Sequence, residues 1–175
     1  MAKAKKVTSK AVAVVVPQKG FTADEYNAVA MSAKLGAIQL LSSKFDVKPE
    51  MLALDEKDLT LSYGREVMSC QYSEEAGQAA AIFQYNVVGK AGRKKVFNCV
   101  ADMFVTYELA EPAPEAAAIG FCRNVGAFAA YPYFRSLVAQ LTWAAGLSLP
   151  PLPAIASTAH IAKKPKVADE AASVD

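Results

Sequence analysis

Apolar and polar side chains alternate along the segment KVFNCVADMFVTYEL, residues 95–109. A period of two places successive side chains on opposite faces of a β-strand. The segment therefore predicts a long antiparallel strand with one buried face and one face toward solvent. The predicted buried face holds the odd-numbered residues Phe97, Cys99, Ala101, Met103, Val105, Tyr107 and Leu109. The opposite face carries Asn98, Asp102, Thr106 and Glu108.

Two further segments have the character of strands in the same sheet. In QAAAIFQYNVVG (78–89) the odd-numbered residues Ala81, Phe83, Tyr85 and Val87 are again apolar. The charged, glycine-containing stretch GKAGRKK (89–95) predicts a hairpin loop that joins this strand to the one above. The segment AIQLLSSKFDVKP (37–49) is rich in β-branched and aromatic residues, but its alternation breaks near Leu40 and Leu41.

The segment DLTLSYGREVMSCQY (58–72) changes parity along its length. Its apolar residues are first odd-numbered, at Leu59, Leu61 and Tyr63, and later even-numbered, at Met68, Cys70 and Tyr72. A β-bulge or bend would reconcile the two halves, and Gly64 is its predicted place. With this segment the sheet has four antiparallel strands.

A helix is predicted before the first strand. Thr22 and Glu25 have the spacing of a capping box, and Phe21 and Tyr26 flank it as a hydrophobic staple. The helix should therefore begin at Ala23, and Gly36 is a natural end for it.

After the last strand the sequence again favours helix. A short helical stretch is expected from Glu115, weakened by Gly120 and Gly126, and Pro132 suits the first turn of a new helix that ends at Gly146. On that second helix the residues Phe134, Leu137, Val138, Leu141 and Ala145 fall at helical spacing, with Tyr133, Gln140 and Trp143 on other flanks. Its apolar stripe is wide enough to be covered on more than one side. The predicted fold is α+β: a four-stranded antiparallel sheet with a long C-terminal helix.

Length and composition indicate one domain with tails. At 175 residues and 53% hydrophobic composition the chain can bury one ordinary core, in the range 21–153. We expect a flexible basic arm over 1–20 and a flexible tail over 154–175. The apolar run in the arm is too short for a signal peptide because it stops at Pro17, and no segment approaches the length of a membrane span. Membrane insertion is not expected.

Net charge and cysteine content indicate which partners and which cellular compartment to expect. The formal net charge of +2 does not call for a polyanionic partner, so nucleic acid is not expected as a ligand. The cysteines Cys70, Cys99 and Cys122 are odd in number and widely spaced, which fits a reducing compartment and predicts a cytoplasmic protein.

The chain has few residues that could form the active site of an enzyme. Its only histidine, His160, lies in the predicted tail, so neither a catalytic triad nor a metal site can be assembled inside the fold. The stretch 89–95 lacks the pattern of a phosphate-binding loop and precedes a strand rather than a helix. The carboxylate pairs Asp55/Glu56 and Glu74/Glu75 have the character of solubilising turns. We expect no enzymatic activity, no metal and no cofactor.

The stretch YPYFRSLVAQLTWAAGLSLPPLP (131–153) resembles a signature of the SecB export-chaperone family. In that family an aromatic-Pro-aromatic-x-Arg motif opens the long helix, and the helix ends in a glycine before a Leu- and Pro-rich segment. The motif residues here are Tyr131, Pro132, Tyr133 and Arg135. The stretch VFNCVADM is also similar to the family's last sheet strand, with Phe97 and Cys99 on one face. The resemblance covers residues 37–153.

The resemblance implies an assembly and a client-binding surface. Family members are tetramers, dimers of dimers, with the long helices between sheets, and exposed apolar grooves bind unfolded chains. It places Phe97, Cys99, Tyr133, Phe134, Leu137 and Leu141 in the core or an oligomer interface, and Trp143, Leu147, Leu149 and Leu152 along a client groove. The resemblance leaves open whether the SecA motor is a partner, because the tail carries Lys163, Lys164 and Lys166 where export members have acidic residues.

Three functional hypotheses follow. The first is an ATP-independent holdase that keeps unfolded or newly made client proteins from aggregating, including preproteins for Sec-dependent export. The second is a SecB-like chaperone dedicated to one client, such as an antitoxin or a specialised secretion substrate. The third is a structural or adaptor protein that uses the fold only to assemble, with its basic arm and the hairpin residues Arg93, Lys94 and Lys95 touching an anionic surface.

Overall fold

The computed structural model describes residues 20–55 and 58–154. Within them α1 (Ala23–Ser32) is followed by β1 (Ala33–Val47), a short 3-10 helix (Pro49–Ala53), β2 (Leu59–Ser73), β3 (Gln78–Ala91), β4 (Lys94–Leu109) and α2 (Glu115–Ala144). The predicted α+β fold with four strands and a long C-terminal helix is confirmed. Most of the predicted basic arm (1–19), the predicted tail beyond Ala154 with His160 and its three lysines, and Glu56 lie outside the described residues.

The four strands form one antiparallel sheet in the order β1-β4-β3-β2. Strand β4 lies at the centre, paired with β1 on one side and β3 on the other. The predicted apolar face of β4 is confirmed, because all of its odd-numbered residues from Phe97 to Leu109 are buried. The opposite face is less exposed than predicted, because Asn98 and Thr106 are buried as well. The same holds for the odd-numbered residues of β3 from Ala79 to Val87. The hairpin between them is tighter than predicted: only Gly92 and Arg93 form the turn, because pairing continues to Ala91 and Lys94.

Two strands contain bulges that explain their irregular alternation. In β1 the register with β4 shifts between Leu40 and Ser42, so Leu41 is an extra residue where the alternation breaks. In β2 the register with β3 shifts between Val67 and Ser69, which makes Met68 the extra residue. The prediction of a bulge near Gly64 was wrong, because the odd-numbered face continues through Val67 before the parity changes.

The capping box of α1 is confirmed: the Glu25 N–H donates to Thr22 Oγ1 at 3.2 Å, and the Thr22 N–H donates to Glu25 Oε2 at 2.6 Å. The predicted end at Gly36 was wrong, because the chain passes directly from Ser32 into β1. Gly36 lies inside that strand at a second register shift, where the Ala37 N–H donates to Thr106 Oγ1 at 3.0 Å.

The C-terminal helix is longer than predicted. A single helix runs from Glu115 to Ala144 with Pro132 inside it, so the predicted separation into two helices was wrong. Gly120 and Gly126 are buried positions of that helix rather than breaks in it. Helix α2 packs on the buried face of the sheet, against β3 and β4 above all, and α1 packs on α2. In the described part of the chain no helix is both long and apolar enough to cross a membrane.

Candidate functional site

Helix α2 ends in a hydrogen-bonded reversal. The Gly146 N–H donates to the Trp143 carbonyl at 3.0 Å, and the Leu147 N–H donates to the Thr142 carbonyl at 2.9 Å. This pair of bonds is a Schellman motif, which requires a left-handed residue, and Gly146 supplies it with φ of 67°. The chain therefore turns back sharply, and the residues that follow run along the molecule instead of continuing the helix axis.

Residues 147–154, here called the C-terminal segment, lie against the domain and are attached at two further points. The Leu152 side chain is only 5% exposed and belongs to the hydrophobic core. The Tyr131 hydroxyl group donates a hydrogen bond of 2.6 Å to the Pro153 carbonyl. Leu147 and Leu149 pack against the same core but stay partly exposed.

The C-terminal segment separates two depressions. The first, here called the helix-side groove, has a volume of about 370 Å³ and lies between the segment and the last turns of α2. Its sheet-side lining includes Leu61, Val87 and Phe97, and its helical lining includes Val138 and Trp143. Apart from Arg135, no charged residue lines it among those that the structure describes.

The second depression, here called the loop-side groove, lies on the other side of the C-terminal segment and has a volume of about 350 Å³. Its opposite side is formed by the 3-10 helix and the residues after it, including Met51, Leu52 and Leu54. Leu147 and Leu149 line both grooves, so these two leucines form the wall between them. Asp55 is the one charged residue in the lining of this groove within the described ranges.

The chemistry of the helix-side groove is that of apolar burial, whereas polar groups make up most of the exposed lining of the loop-side groove. Leucine, valine, proline and aromatic side chains dominate the helix-side lining, and such surfaces cover apolar groups of a ligand without reading a sequence. No group of three or more metal-ligating side chains occurs in residues 20–55 and 58–154. The stretch 89–95, considered above as a phosphate-binding loop, forms a β-hairpin.

The four residues expected along a client groove all line the helix-side groove. Trp143 is 84% exposed and stands at its rim, while Leu147 and Leu149 form the shared wall. Leu152 lines the bottom of the groove, because its side chain is buried. Client binding by these residues stays a prediction, but the fold does bring them together.

The residues expected in the core or an oligomer interface divide into two sets. Phe97, Cys99 and Phe134 are buried in the core of the single chain. Leu137 and Leu141 are partly buried, and Tyr133 is 54% exposed. An interface role for Tyr133 therefore stays a prediction, since its ring has little cover within the chain.

Sequence reasoning missed the contribution of the 3-10 helix. Leu52 is 66% exposed beside the loop-side groove, and Met51 next to it is buried. The available signal was the run MLAL after Pro49 and Glu50, which is unusually apolar for a connection between strands. This run lies beside a groove only because the chain folds back after α2, and no local sequence pattern reveals that contact.

A comparison with solved structures supports the fold. No family model matches the chain, and no curated protein matches its sequence. Among solved structures, the chain is similar to the SecB-like chaperone Rv1957 of Mycobacterium tuberculosis, solved in complex with a ChAD peptide from the Rv1956 HigA1 antitoxin. The similarity has a TM-score of 0.63 at 18% sequence identity and covers 76% of this chain and 97% of that chain.

Proposed function

From the SecB-like fold of this chain and the apolar groove beside the end of α2, we propose that the protein is a molecular chaperone of the holdase type. It binds unfolded or newly made client chains through their apolar segments and prevents their aggregation. It acts without ATP, without a metal or cofactor, and without catalysing a reaction.

The observation that carries the proposal is the wall formed by Leu147 and Leu149. An extended client chain directs successive side chains to opposite sides. A wall with the apolar helix-side groove on one flank and the more polar loop-side groove on the other can therefore receive the apolar side chains of such a segment on one side and its polar side chains on the other. Exposed Trp143 on one rim and exposed Leu52 on the other extend the apolar contact beyond the grooves.

The assembly proposed with this function is a homotetramer, a dimer of dimers. Tyr133 is exposed on α2 and Leu137 and Leu141 are only partly buried, so a second copy of the chain can cover this surface. The proposed location is the cytoplasm, and its reducing conditions suit the free thiols of Cys70, Cys99 and Cys122.

A second candidate is a chaperone dedicated to one client. The solved neighbour favours it, because that protein was captured with a peptide from an antitoxin. The genes beside the one for this chain separate the two candidates: an adjacent toxin and antitoxin favour the dedicated chaperone. Their absence, together with retention of unrelated unfolded proteins, favours the general holdase, whose clients then include Sec preproteins.

Light scattering of a chemically denatured test protein, diluted into buffer with and without this chain, tests the function. The proposal predicts suppressed scattering at roughly one tetramer per client, equal with and without ATP. Unsuppressed scattering in the presence of the folded chain would contradict it. A chain that suppresses scattering only with ATP would contradict the ATP-independent mechanism.

A further inference from the structure

The hydroxyl group of Tyr131 joins α2 to the far end of the C-terminal segment, with Tyr131 Oη 2.6 Å from the Pro153 oxygen. We propose that Tyr131 is a positioning residue of the grooves: its hydrogen bond holds the C-terminal segment in place as their common wall and thereby sets their affinity for client chains. The step from segment position to client affinity rests on the proposed function. The step from hydrogen bond to segment position does not.

The C-terminal segment has few other means of keeping its place. Beyond the Leu147 N–H, the bond from Tyr131 is the one hydrogen bond made by the segment within the described part of the chain. Pro150, Pro151 and Pro153 have no N–H group, so they cannot pair with a strand or continue a helix. Burial of Leu152 is the remaining attachment near its end.

Tyr131 itself is rigidly held, which is what a positioning residue requires. The residue is 8% exposed, and its ring centroid lies 6.0 Å from that of Tyr85 and 6.4 Å from that of Phe134. The Tyr85 hydroxyl group in turn donates to the Ala127 carbonyl at 2.6 Å, one turn earlier on α2. Burial raises the pKa of Tyr131, so its hydroxyl group remains a donor at neutral pH.

The two leucines of the wall lie between fixed points. The Schellman motif fixes the chain before Leu147, while Leu152 and the Tyr131 bond fix it after Leu149. Without the bond, the segment is free to swing about Gly146 whenever Leu152 leaves the core. A client must then order the wall as it binds, and that ordering lowers the affinity.

The test compares Tyr131→Phe with the native chain by methyl NMR of Leu149 and Leu152 and by client binding. The ring and its packing are kept, and only the donor is lost. We expect the detached population of residues 147–154, seen as relaxation dispersion of these methyl groups, to rise by about tenfold, and affinity for a denatured client to fall by up to the same factor. Methyl groups elsewhere in the core should change much less, since their packing is kept.

Two matched variants separate positioning from general destabilisation. Tyr85→Phe removes an equally short bond to the main chain of α2, so it should lower the melting temperature without a selectively larger detached population of the C-terminal segment. Asn124→Ala changes an exposed residue of the same helix, far from the segment in sequence, and should leave both measurements at their native values.

A native detached population over 147–154 in Tyr131→Phe would overturn the inference, and so would a larger detached population with undiminished client binding. If the native chain itself retains no client, the proposed function fails, and the methyl NMR comparison alone decides whether Tyr131 positions the segment. Should Tyr131→Phe not fold, Pro153→Gly takes its place, because it loosens an exposed residue that presents the acceptor. An unchanged detached population in that variant would also overturn the inference.

Discussion

Gly126 of α2 lies against the ring of Phe83 of β3, so closely that a methyl group on residue 126 would come within 3.1 Å of Phe83 Cε2. The helix reaches the centre of the sheet at this point because one side chain is missing. The Phe83 side chain is fully buried, so it must shift within a close-packed core to admit a larger residue.

Gly126→Val should therefore destabilise the fold by about 1–3 kcal/mol, as overpacking of a filled core does. The matched change Asn124→Val lies on an exposed position of the same helix and should cost less than about 0.5 kcal/mol, since the two residues have similar helix propensities. Urea denaturation followed by circular dichroism measures both. Equal losses in the two variants would show that close packing at Gly126 is not the cause.

Thr106 supports the bulge at Gly36 by accepting a hydrogen bond from the Ala37 N–H at 3.0 Å. Thr106→Val keeps the shape of the side chain but leaves this N–H unpaired, so we expect a loss of about 1–3 kcal/mol in the free energy of unfolding. Thr60→Val, at an exposed position of β2, should be nearly neutral. A neutral Thr106→Val variant in the same urea titration would mean that water replaces the lost acceptor.

Cys70 should be the first thiol to react in the folded protein. Its pKa is lowered by a hydrogen bond from the Cys122 thiol, and by nearby Arg123, against the opposing effect of burial. Burial raises the pKa of Cys99 to about 11, and the hydrogen bond to Cys70 together with burial raises that of Cys122.

At pH 8 an aromatic disulfide reagent should thus show one fast phase per chain, which slows as the pH falls because the thiolate is the nucleophile. Unfolding in urea should expose the remaining thiols. The Cys70→Ser variant should lack the fast phase, and a fast phase that persists in it would refute the assignment to Cys70.

Buried tyrosines should make the fold sensitive to alkali. Burial raises the pKa of Tyr107 to about 12, helped by Cys122 and Tyr26, and burial also raises that of Tyr85. Since the unfolded chain ionises its tyrosines near pH ~10, their stabilising effect is complete below that pH and is lost as the pH rises toward 12.

Each such tyrosine should contribute a decline of up to about 1.4 kcal/mol per pH unit in the free energy of unfolding above pH ~10. Urea titrations between pH 8 and about pH 11.5 measure the decline. The Tyr107→Phe variant should show a shallower slope than the native chain. Identical slopes would indicate that Tyr107 does not titrate on unfolding.

Local sequence patterns predicted the sheet better than they predicted the helix. The odd-numbered face of β4 needs only a strand period and an adjacent core, and both are visible in its residues. The division of α2 at Pro132 was wrong because Gly120 and Gly126 were interpreted as weakening the helix, whereas they are buried within it. That reason becomes visible only when Phe83 is brought opposite Gly126.

For a similar reason, the sequence predicted only the part of the candidate site whose residues are close together along the chain. Trp143, Leu147, Leu149 and Leu152 are close in sequence, and prolines after a helix-ending glycine indicated an apolar rim. The other side of the loop-side groove comes from Met51, Leu52 and Leu54, far away along the chain. The sequence also did not reveal which of these leucines is exposed, because the burial of Leu152 depends on its tertiary contacts.

The most direct test of the central claim is the affinity of a denatured client for a chain whose groove wall has been made polar. The variant carries Leu147→Ser and Leu149→Ser, and it leaves the buried Leu152 in place so that the fold is kept. Its matched control carries Met31→Ser and Met68→Ser, two exposed apolar residues outside both grooves.

Circular dichroism first establishes that both variants are folded, and binding is then measured by fluorescence anisotropy of a labelled client. We predict at least about tenfold weaker binding for the double leucine variant and native binding for the control, because buried apolar anchors dominate such interfaces. A folded leucine variant that binds the client as tightly as the native chain would contradict the assignment of client binding to these grooves.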